Sequence, residues 1–430
     1  MSVSRMSPAV AHNARQLYGD IFGFGLQAGA TLSFLPVYFA HLGASGFQVA
    51  LLTAGPAVMN LLLSLPAVRW LEGRSLLRVT FDMILFNRLC YLPFLFLPWL
   101  VGPSAEIWIM IALTALTMLP GTVINVSFNA LFAGLIPPEH RATVVGGRNA
   151  LSGLSTLGTS LVCGWVLTAL PFPANYQVVF GVGLVGLVIS AVFLARLRDQ
   201  HGATPHRAHP LLALPGAAFG RFTHIVQTTA RTLAAPTGRT GLADQVANLG
   251  RLRGPFGLFL LAYFLFYTFQ FVPVPLLPLF WVNELHLSDS TISIGNGVFQ
   301  LAILAASVGL GTVAGRFGHR RVLVVSAALY GLQPLLNAWA HGVPLYMVSA
   351  IMGGVGWGFA GGTMATRLMD RVPADDRPAH MALYNLAIYL GVLAGSFLGP
   401  VVGDWLGLRE SLLVSGGLRI LAAALLLLWA

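Results

Sequence analysis

Apolar residues run along this chain in blocks of 20 or more, from Leu17 to the C-terminus, separated by short clusters rich in arginine, proline and glycine. At a rise of about 1.5 Å per residue, a helix of that length crosses a hydrocarbon core of roughly 30 Å. Twelve spans are read on this basis, at 17–40, 47–68, 79–101, 107–132, 143–169, 176–197, 255–282, 290–314, 320–341, 343–366, 379–402 and 410–430. The pattern predicts an all-α polytopic protein whose solvent is lipid.

Composition agrees. Of 430 residues 56% are hydrophobic and 9% charged, with a mean hydropathy of +0.78, whereas a soluble domain is about one quarter charged. The first apolar block is longer than a signal-peptide core and has no small-residue cleavage site after it, so it reads as a retained span. Cys90 and Cys163 fall inside apolar blocks and read as small buried hydrophobes rather than a disulfide or metal pair.

Charge then orients the spans. The net charge is +10, carried by 24 arginines with no lysine. A basic balance can mean nucleic acid, but 21 of the 24 arginines lie at or near span ends on one side: Arg5, Arg15, Arg69, Arg74, Arg78, Arg141, Arg148, the eight from Arg196 to Arg253, Arg316, Arg320, Arg321, Arg367, Arg371 and Arg377. The opposite side has Arg409 alone. Arginine-rich loops stay in the cytoplasm, so both termini are expected there, in a plasma (inner) membrane, with no nucleic-acid partner.

The chain also repeats. "GRSLLR" at 73–78 matches "GRFGHR" at 315–320, and "FLPVYF" at 34–39 matches "LLPLFW" at 276–281, both at an offset of 242. "PPEHRATVVGGRN" at 137–149 pairs with "PADDRPAHMALYN" at 373–385 at an offset of 236. Three matches in one order predict two pseudo-symmetric six-helix bundles, 1–197 and 255–430, related by an axis along the membrane normal. Residues 198–254 have no run able to span and read as a cytoplasmic linker. Its section 219–234 is either a solvated connection or a basic amphipathic helix on the membrane surface.

With twelve spans, a 6+6 repeat and a long central loop, the sequence resembles the major facilitator superfamily. Gly311, Gly315, Arg316, Gly318, His319 and Arg320 follow that family's loop signature, with glycine where its acidic residue stands; in the first half Glu72, Gly73, Arg74 and Arg78 remain. The resemblance implies a conformational latch at Arg74, Gly315, Arg316 and Arg320, the alternative being arginines that only set topology. It also implies a central cavity lined by spans 1, 4, 7 and 10, with help from 2, 5, 8 and 11. Gly391, Gly395, Gly399, Pro400 and Gly403 resemble the family's antiporter signature, although that belongs to span 5 and ends in Gly where this chain has Asp404.

Candidate chemistry is sparse, which makes each polar residue within a span informative, since an unpaired one in hydrocarbon costs several kcal/mol. Gln27 and Gln270 occupy matching places in spans 1 and 7 and can hydrogen-bond a polar substrate or a neighbouring backbone. Asn125 and Asn129, one turn apart, share a face of span 4. Asn149 and Asn385 recur through the repeat and read as packing joints. Arg88 and Arg419 lie near the middle of spans 3 and 12, where each either meets an anionic substrate or is paired to a carbonyl or acid within the bundle. Asp20, in "YGDIFGFG", is the coupling candidate; its alternative is a helix-start residue paired to a loop arginine. Trp357, within "GGVGWGFAGG", either stacks on a ligand or packs in the core. Proline breaks in spans, including Pro273 and Pro275, free carbonyls and permit bending.

These readings converge on a secondary transporter working by alternating access on a small-molecule substrate, in lipid and as a monomer, with proton-coupled efflux of amphiphilic compounds as the first expectation. Uptake or exchange of a sugar or organic anion is the alternative. A membrane-embedded enzyme is the rival of another class, but no His-Glu-x-x-His, nucleophile elbow or acidic metal cluster occurs within a span. A non-transporting sensor is the second. No catalytic residue, metal or cofactor is expected.

Overall fold

The computed structural model describes residues 7–71, 76–198, 255–371 and 377–429, all helix and short connections, with no strand among them. In chain order the helices are α1 (Pro8–Gln27), a π-helical turn (Ala28–Leu32), α2 (Ser33–His41), α3 (Gly46–Leu71), α4 (Leu76–Leu89), a 3-10 turn (Leu92–Leu95), α5 (Leu97–Leu100), α6 (Pro103–Leu135), α7 (Pro138–Ala169) and α8 (Ala174–Leu194). Then follow α9 (Pro255–Phe271), α10 (Leu276–Asn283), α11 (Asp289–Phe317), α12 (His319–Trp339), α13 (Val343–Arg371), α14 (Arg377–Leu406) and α15 (Leu408–Trp429). Among the described residues, eleven helical stretches are long and apolar enough to cross a bilayer.

The third span differs from the continuous helix that its apolar run suggests. It is α4, a 3-10 turn and the four-residue α5. Pro93 and Pro98 each sit at the start of a new short helix, where the missing N–H costs nothing but cannot continue the helix before it. Span 1 also starts earlier than its apolar run. Pro8 opens α1 and the Ser7 hydroxyl accepts from the Val10 N–H at 3.4 Å, a capping arrangement that adds about 1 kcal/mol.

Spans 1 and 7 are both broken, at matching places. In span 1 the π turn ends at Leu32, whose carbonyl Pro36, inside α2, cannot serve as donor. In span 7 the helix stops at Phe271 and restarts at Leu276 across Pro273 and Pro275. There the Val274 N–H turns back to the Phe271 carbonyl (3.3 Å), and the N–H groups of Leu276 and Leu277 both reach the Pro273 carbonyl.

The described residues fall into two compact units: 7–35 with 59–198, and 36–58 with 255–429. In the first, α1 packs on α7 and α8, and α4 on α6 and α8. Gly23 lies against the Gly186 carbonyl of α8, and Gly25 and Gly29 against Ser152, Ser155 and Thr156 of α7, with no room for a Cβ. The small-residue runs of spans 1 and 5 thus bring backbones together, the contact that lipid-embedded helices use in place of a hydrophobic driving force.

In the second unit α14 packs on α9, α12 lies between α13 and α15, and α11 meets α13. The four-residue glycine ladder of α14 runs along span 7: Gly391 meets the Phe264 carbonyl, Gly395 that of Thr268 and Gly399 that of Val272. The second part of span 1 and the first part of span 2, residues 36–58, belong to this unit. Val37 packs with Leu287, Ile292 and Tyr346, Phe47 lies 5.7 Å from Phe397 between ring centroids, and His41 Nε2 is 2.9 Å from Asp289 Oδ1.

Candidate functional site

Each unit holds one buried polar node at the junction of its first, third and sixth spans. In the first unit the node is centred on Asp20, buried thirteen residues along from Ser7 in α1 rather than at a helix start. Its Oδ1 accepts from the Ser190 hydroxyl of α8 at 2.5 Å. Its Oδ2 accepts from both Nη atoms of Arg148 at 3.3 Å. Arg148 comes from α7, also donates to the Leu17 carbonyl at 2.7 Å and lies 4.8 Å above the Phe128 ring.

Arg88 completes this node from α4. Its Nη2 donates to the Ser190 hydroxyl (2.5 Å), its Nε to the Leu187 carbonyl (2.7 Å) and its Nη1 to the Ile84 carbonyl (3.2 Å). Ser190 therefore relays between cation and anion, accepting from one and donating to the other. Two guanidinium groups share one carboxylate. Buried charges of this kind persist only when their remaining donors and acceptors are satisfied, and three backbone carbonyls do that here. Gln27 lies on the same helix, seven residues on from Asp20, and hydrogen-bonds Tyr91.

The second unit places a cation at the same junction without a carboxylate. Arg419 of α15 is 1% exposed. Its Nη2 donates to the Gln270 carbonyl of α9 at 2.6 Å. Its Nη1 donates to the Tyr330 carbonyl (3.2 Å) and to Gln333 Oε1 (3.3 Å), both in α12, and the guanidinium stacks 4.2 Å over the Tyr330 ring, a cation–π contact strengthened by desolvation. Gln270 Oε1 and Arg419 Nε are buried without a hydrogen-bond partner among the described residues.

The other sequence candidates disperse. Trp357 of α13 is half-buried against Tyr330 (5.6 Å between rings) and packs on the main core of the second unit. Asn125 is exposed on α6, as are Asn149 on α7 and Asn385 on α14; the side chain of Asn129 lies outside the described residues. Of the latch residues, Arg74 is likewise outside them. Gly315 and Arg316 are exposed, and the Arg316 guanidinium lies 5.5 Å over Phe317. Arg320 donates to the Leu427 carbonyl at 2.5 Å, tying the start of α12 to the end of α15. Gly318 between α11 and α12 has φ +81°, which favours glycine and accounts for that position of the loop signature. Cys90 and Cys163 are free and buried, and no group of three His, Cys, Asp or Glu able to hold a metal occurs among the described residues.

Four residues of these nodes, Arg148, Ser190, Tyr330 and Gln333, do not stand out as site candidates in the sequence. Arg148 falls among the cytoplasmic arginines when span 5 is begun at 143; α7 starts at Pro138, which puts Arg148 three turns into the helix. Ser190 sits in an apolar run and carries no pattern of its own. Gln333 precedes Pro334, and that adjacency is the one available signal.

Spanning helices with their few buried charges gathered at helix junctions form the architecture of membrane transporters. A family model described as Major Facilitator Superfamily matches residues 21–242 and 259–430, and the chain belongs to that superfamily, a class of transporters and not of enzymes. The chain is 24% identical over 150 residues to multidrug resistance protein 2 of Bacillus subtilis (35% of this chain, 37% of that protein). It is 26% identical over 113 residues to the arabinose-proton symporter of the same species (24% of each). It thus spans well under half the length of these curated relatives. Its fold is similar to that of a bacterial homologue of the iron transporter ferroportin in the inward-facing state, with TM-score 0.71, 16% identity and coverage of 97% of this chain and 98% of that one.

Proposed function

We propose that the protein is a secondary transporter that carries a small molecule through the plasma membrane by alternating access of two six-helix bundles, with both termini cytoplasmic and as a monomer. Proton-coupled efflux of amphiphilic compounds is the reading best supported, and Asp20 is its coupling residue. The observation that carries it is the buried Asp20–Arg148 pair with Ser190 at its side. A carboxylate is the group in this node that can take up a proton. Protonation removes its attraction to Arg148, whose remaining partner on α1 is the Leu17 carbonyl, and so weakens the joint between α1 and α7. Multidrug resistance protein 2 among the relatives agrees with efflux, and the sparse polar lining expected of these spans suits amphiphilic cargo.

Uptake or exchange of a sugar or organic anion is the second reading, favoured by the arabinose-proton symporter among the relatives. Arg88 and Arg419 do not strengthen it, since each is buried and engaged by carbonyls of its own unit. Gln27, Gln270, Asn125, Asn129 and Trp357 remain the proposed cargo contacts, and Arg74, Gly315, Arg316 and Arg320 the proposed latch. The test is flux in proteoliposomes with an imposed pH gradient, using ethidium, an aldopentose and a dicarboxylate as cargo. Gradient-driven accumulation of ethidium that Asp20→Asn abolishes while downhill flux persists is the expected result. Accumulation of the pentose or the dicarboxylate instead selects the second reading, and gradient-driven accumulation undiminished in Asp20→Asn removes Asp20 from coupling.

A further inference from the structure

Every backbone carbonyl at bilayer depth needs a donor, so prolines within spans leave carbonyls whose donors must come from elsewhere. The carbonyl of residue i in a helix is served by the N–H of residue i+4. For Tyr330 that residue is Pro334, inside α12, which has no N–H. For Gln270 it is Val274, whose N–H is turned to the Phe271 carbonyl by the Pro273 and Pro275 break. Helices α12 and α9 therefore each present an unserved carbonyl, at Tyr330 and at Gln270, that is met by the same side chain; the Phe269 carbonyl, four residues before Pro273, is opened too but is not among them. Arg419 donates to the Gln270 carbonyl through Nη2 at 2.6 Å and to the Tyr330 carbonyl through Nη1 at 3.2 Å.

We propose that Arg419 is a positioning residue, a clasp that joins spans 7, 9 and 12 by serving the Gln270 and Tyr330 carbonyls that the proline breaks leave open, and that it fixes the geometry of the break in span 7. A planar fork with several N–H groups in fixed directions is suited to two acceptors on different helices; an ammonium is not. Gln333 Oε1 accepts from the same Nη1 and the Tyr330 ring covers the cation face, so the charge is held by dipoles and a ring rather than by an acid. The glycine ladder of α14 packs against span 7 on both sides of the break, from Gly391 to Gly403 beside Leu276. At the break itself the ladder's contact is Gly399 on the Val272 carbonyl and the Pro275 ring, while Arg419 reaches the Gln270 carbonyl from α15. The clasp does not depend on which compound is carried or on Asp20.

The test combines hydrogen exchange of the purified, lipid-reconstituted protein with a variant that restores the missing helical N–H. Arg419→Met is expected to speed exchange of the Val272, Val274, Leu276 and Leu277 amides by about tenfold or more, with the α11–α13 contact unaffected. Arg419→Lys should recover part of the protection. Pro334→Ala gives the Tyr330 carbonyl its helical N–H, so the loss in thermal midpoint caused by Arg419→Met should be smaller in the Pro334→Ala background than in the parent. A structural role confined to packing predicts equal losses in the two backgrounds. Unchanged exchange at the break, or equal losses, overturns the clasp. If Arg419→Met gives no folded protein, Arg419→Lys is compared with and without Pro334→Ala: a smaller loss beside Pro334→Ala supports the clasp, and an equal loss overturns it.

Discussion

The two units put polar side chains at the same junction and fill it with different chemistry. In the first, the third span supplies the cation, Arg88, and meets Ser190 and Asp20 on the sixth and first spans. In the second, the sixth span supplies it, Arg419, and meets Tyr330 and Gln270 on the third and first. At the repeat offset of 242, Arg88 falls on Tyr330, so duplication kept the place and exchanged the donor. The consequence is functional. The first node contains a carboxylate, the group on which the proposed coupling rests; the second contains Arg419 with carbonyls, an amide and a ring, and no carboxylate or histidine. Under the coupling proposed for Asp20, one half would respond to a proton and the other would hold.

The largest expected effect of any single change is therefore at Asp20. Asp20→Asn leaves Arg88 and Arg148 with no anion between them, and stranding buried charge costs about 3–5 kcal/mol. The measurement is the thermal midpoint of the purified protein. Pairing the change with Arg148→Met should recover a large part of the loss, because one unmatched cation leaves with the anion. Equal loss in single and double variants would show that the pair is not the stabilising unit. Lowering pH toward the point where Asp20 protonates should act in the same direction as Asp20→Asn and have no further effect in that variant.

Arg419→Met comes next, at about 2–3 kcal/mol, the value of charge-assisted hydrogen bonds to two buried acceptors less the relief of removing a buried cation. It differs from Asp20→Asn in a second respect. Its cost should be independent of pH between about 5 and 8, since that node contains neither a carboxylate nor a histidine. A loss that grows or shrinks across this range, read as the thermal midpoint at several pH values, would break the division between a responding and a holding half.

Sequence and structure agree best where one physical rule dominates. Long apolar runs mark the spans because lipid tolerates little else, and the four-residue glycine spacing in span 11 marks a helix contact whose partner, α9, the structure supplies. Agreement fails where two rules compete. Apolarity alone makes 79–101 one helix, but Pro93 and Pro98 divide it into three pieces. Gln27 and Gln270 match by position, yet Gln27 is satisfied by Tyr91 and Gln270 Oε1 by nothing described. Symmetry in sequence fixes where a residue sits along a helix, not what stands opposite it. The clasp is partly legible: Pro334 names the Tyr330 carbonyl four residues earlier as needing a donor, and Arg419 is a donor at mid-depth needing acceptors, but Gln270 stands four residues before Val274 and is opened only by the turn of that N–H to Phe271. What connects them is tertiary.

Ser190→Ala is expected to cost about 1.5–2 kcal/mol. The hydroxyl accepts from Arg88 and donates to Asp20, so its removal leaves one charged donor and one charged acceptor each short of a bond. Both keep other partners, which limits the loss below that at Asp20. Ser190→Thr keeps the hydroxyl and isolates this bond from the volume of the site, although α8 packs tightly against Gly23 here. Near-parental coupling of flux to the pH gradient in Ser190→Ala, with the lowered thermal midpoint, would mean that the relay stabilises Asp20 without tuning its proton.

The smallest effect is expected at Ser33, and it tests the comparison from the side of the helix breaks. Span 1 and span 7 break at matching places, but in span 1 the carbonyl at the start of the π turn, that of Ala28, has local donors. The Ser33 hydroxyl donates to the Ala28 carbonyl at 2.8 Å, and the Ser33 backbone N–H serves the same carbonyl. Removing the hydroxyl in Ser33→Ala therefore leaves no orphan, and the loss should stay at about 0.5–1 kcal/mol, with little change in exchange of the amides from Ala28 to Leu32. In span 7 the open carbonyl has a tertiary donor, so the matching change at Arg419 is felt across three helices. A loss at Ser33 as large as that at Arg419 would mean that the π turn is held under strain by its cap, and that both halves pivot at their first span.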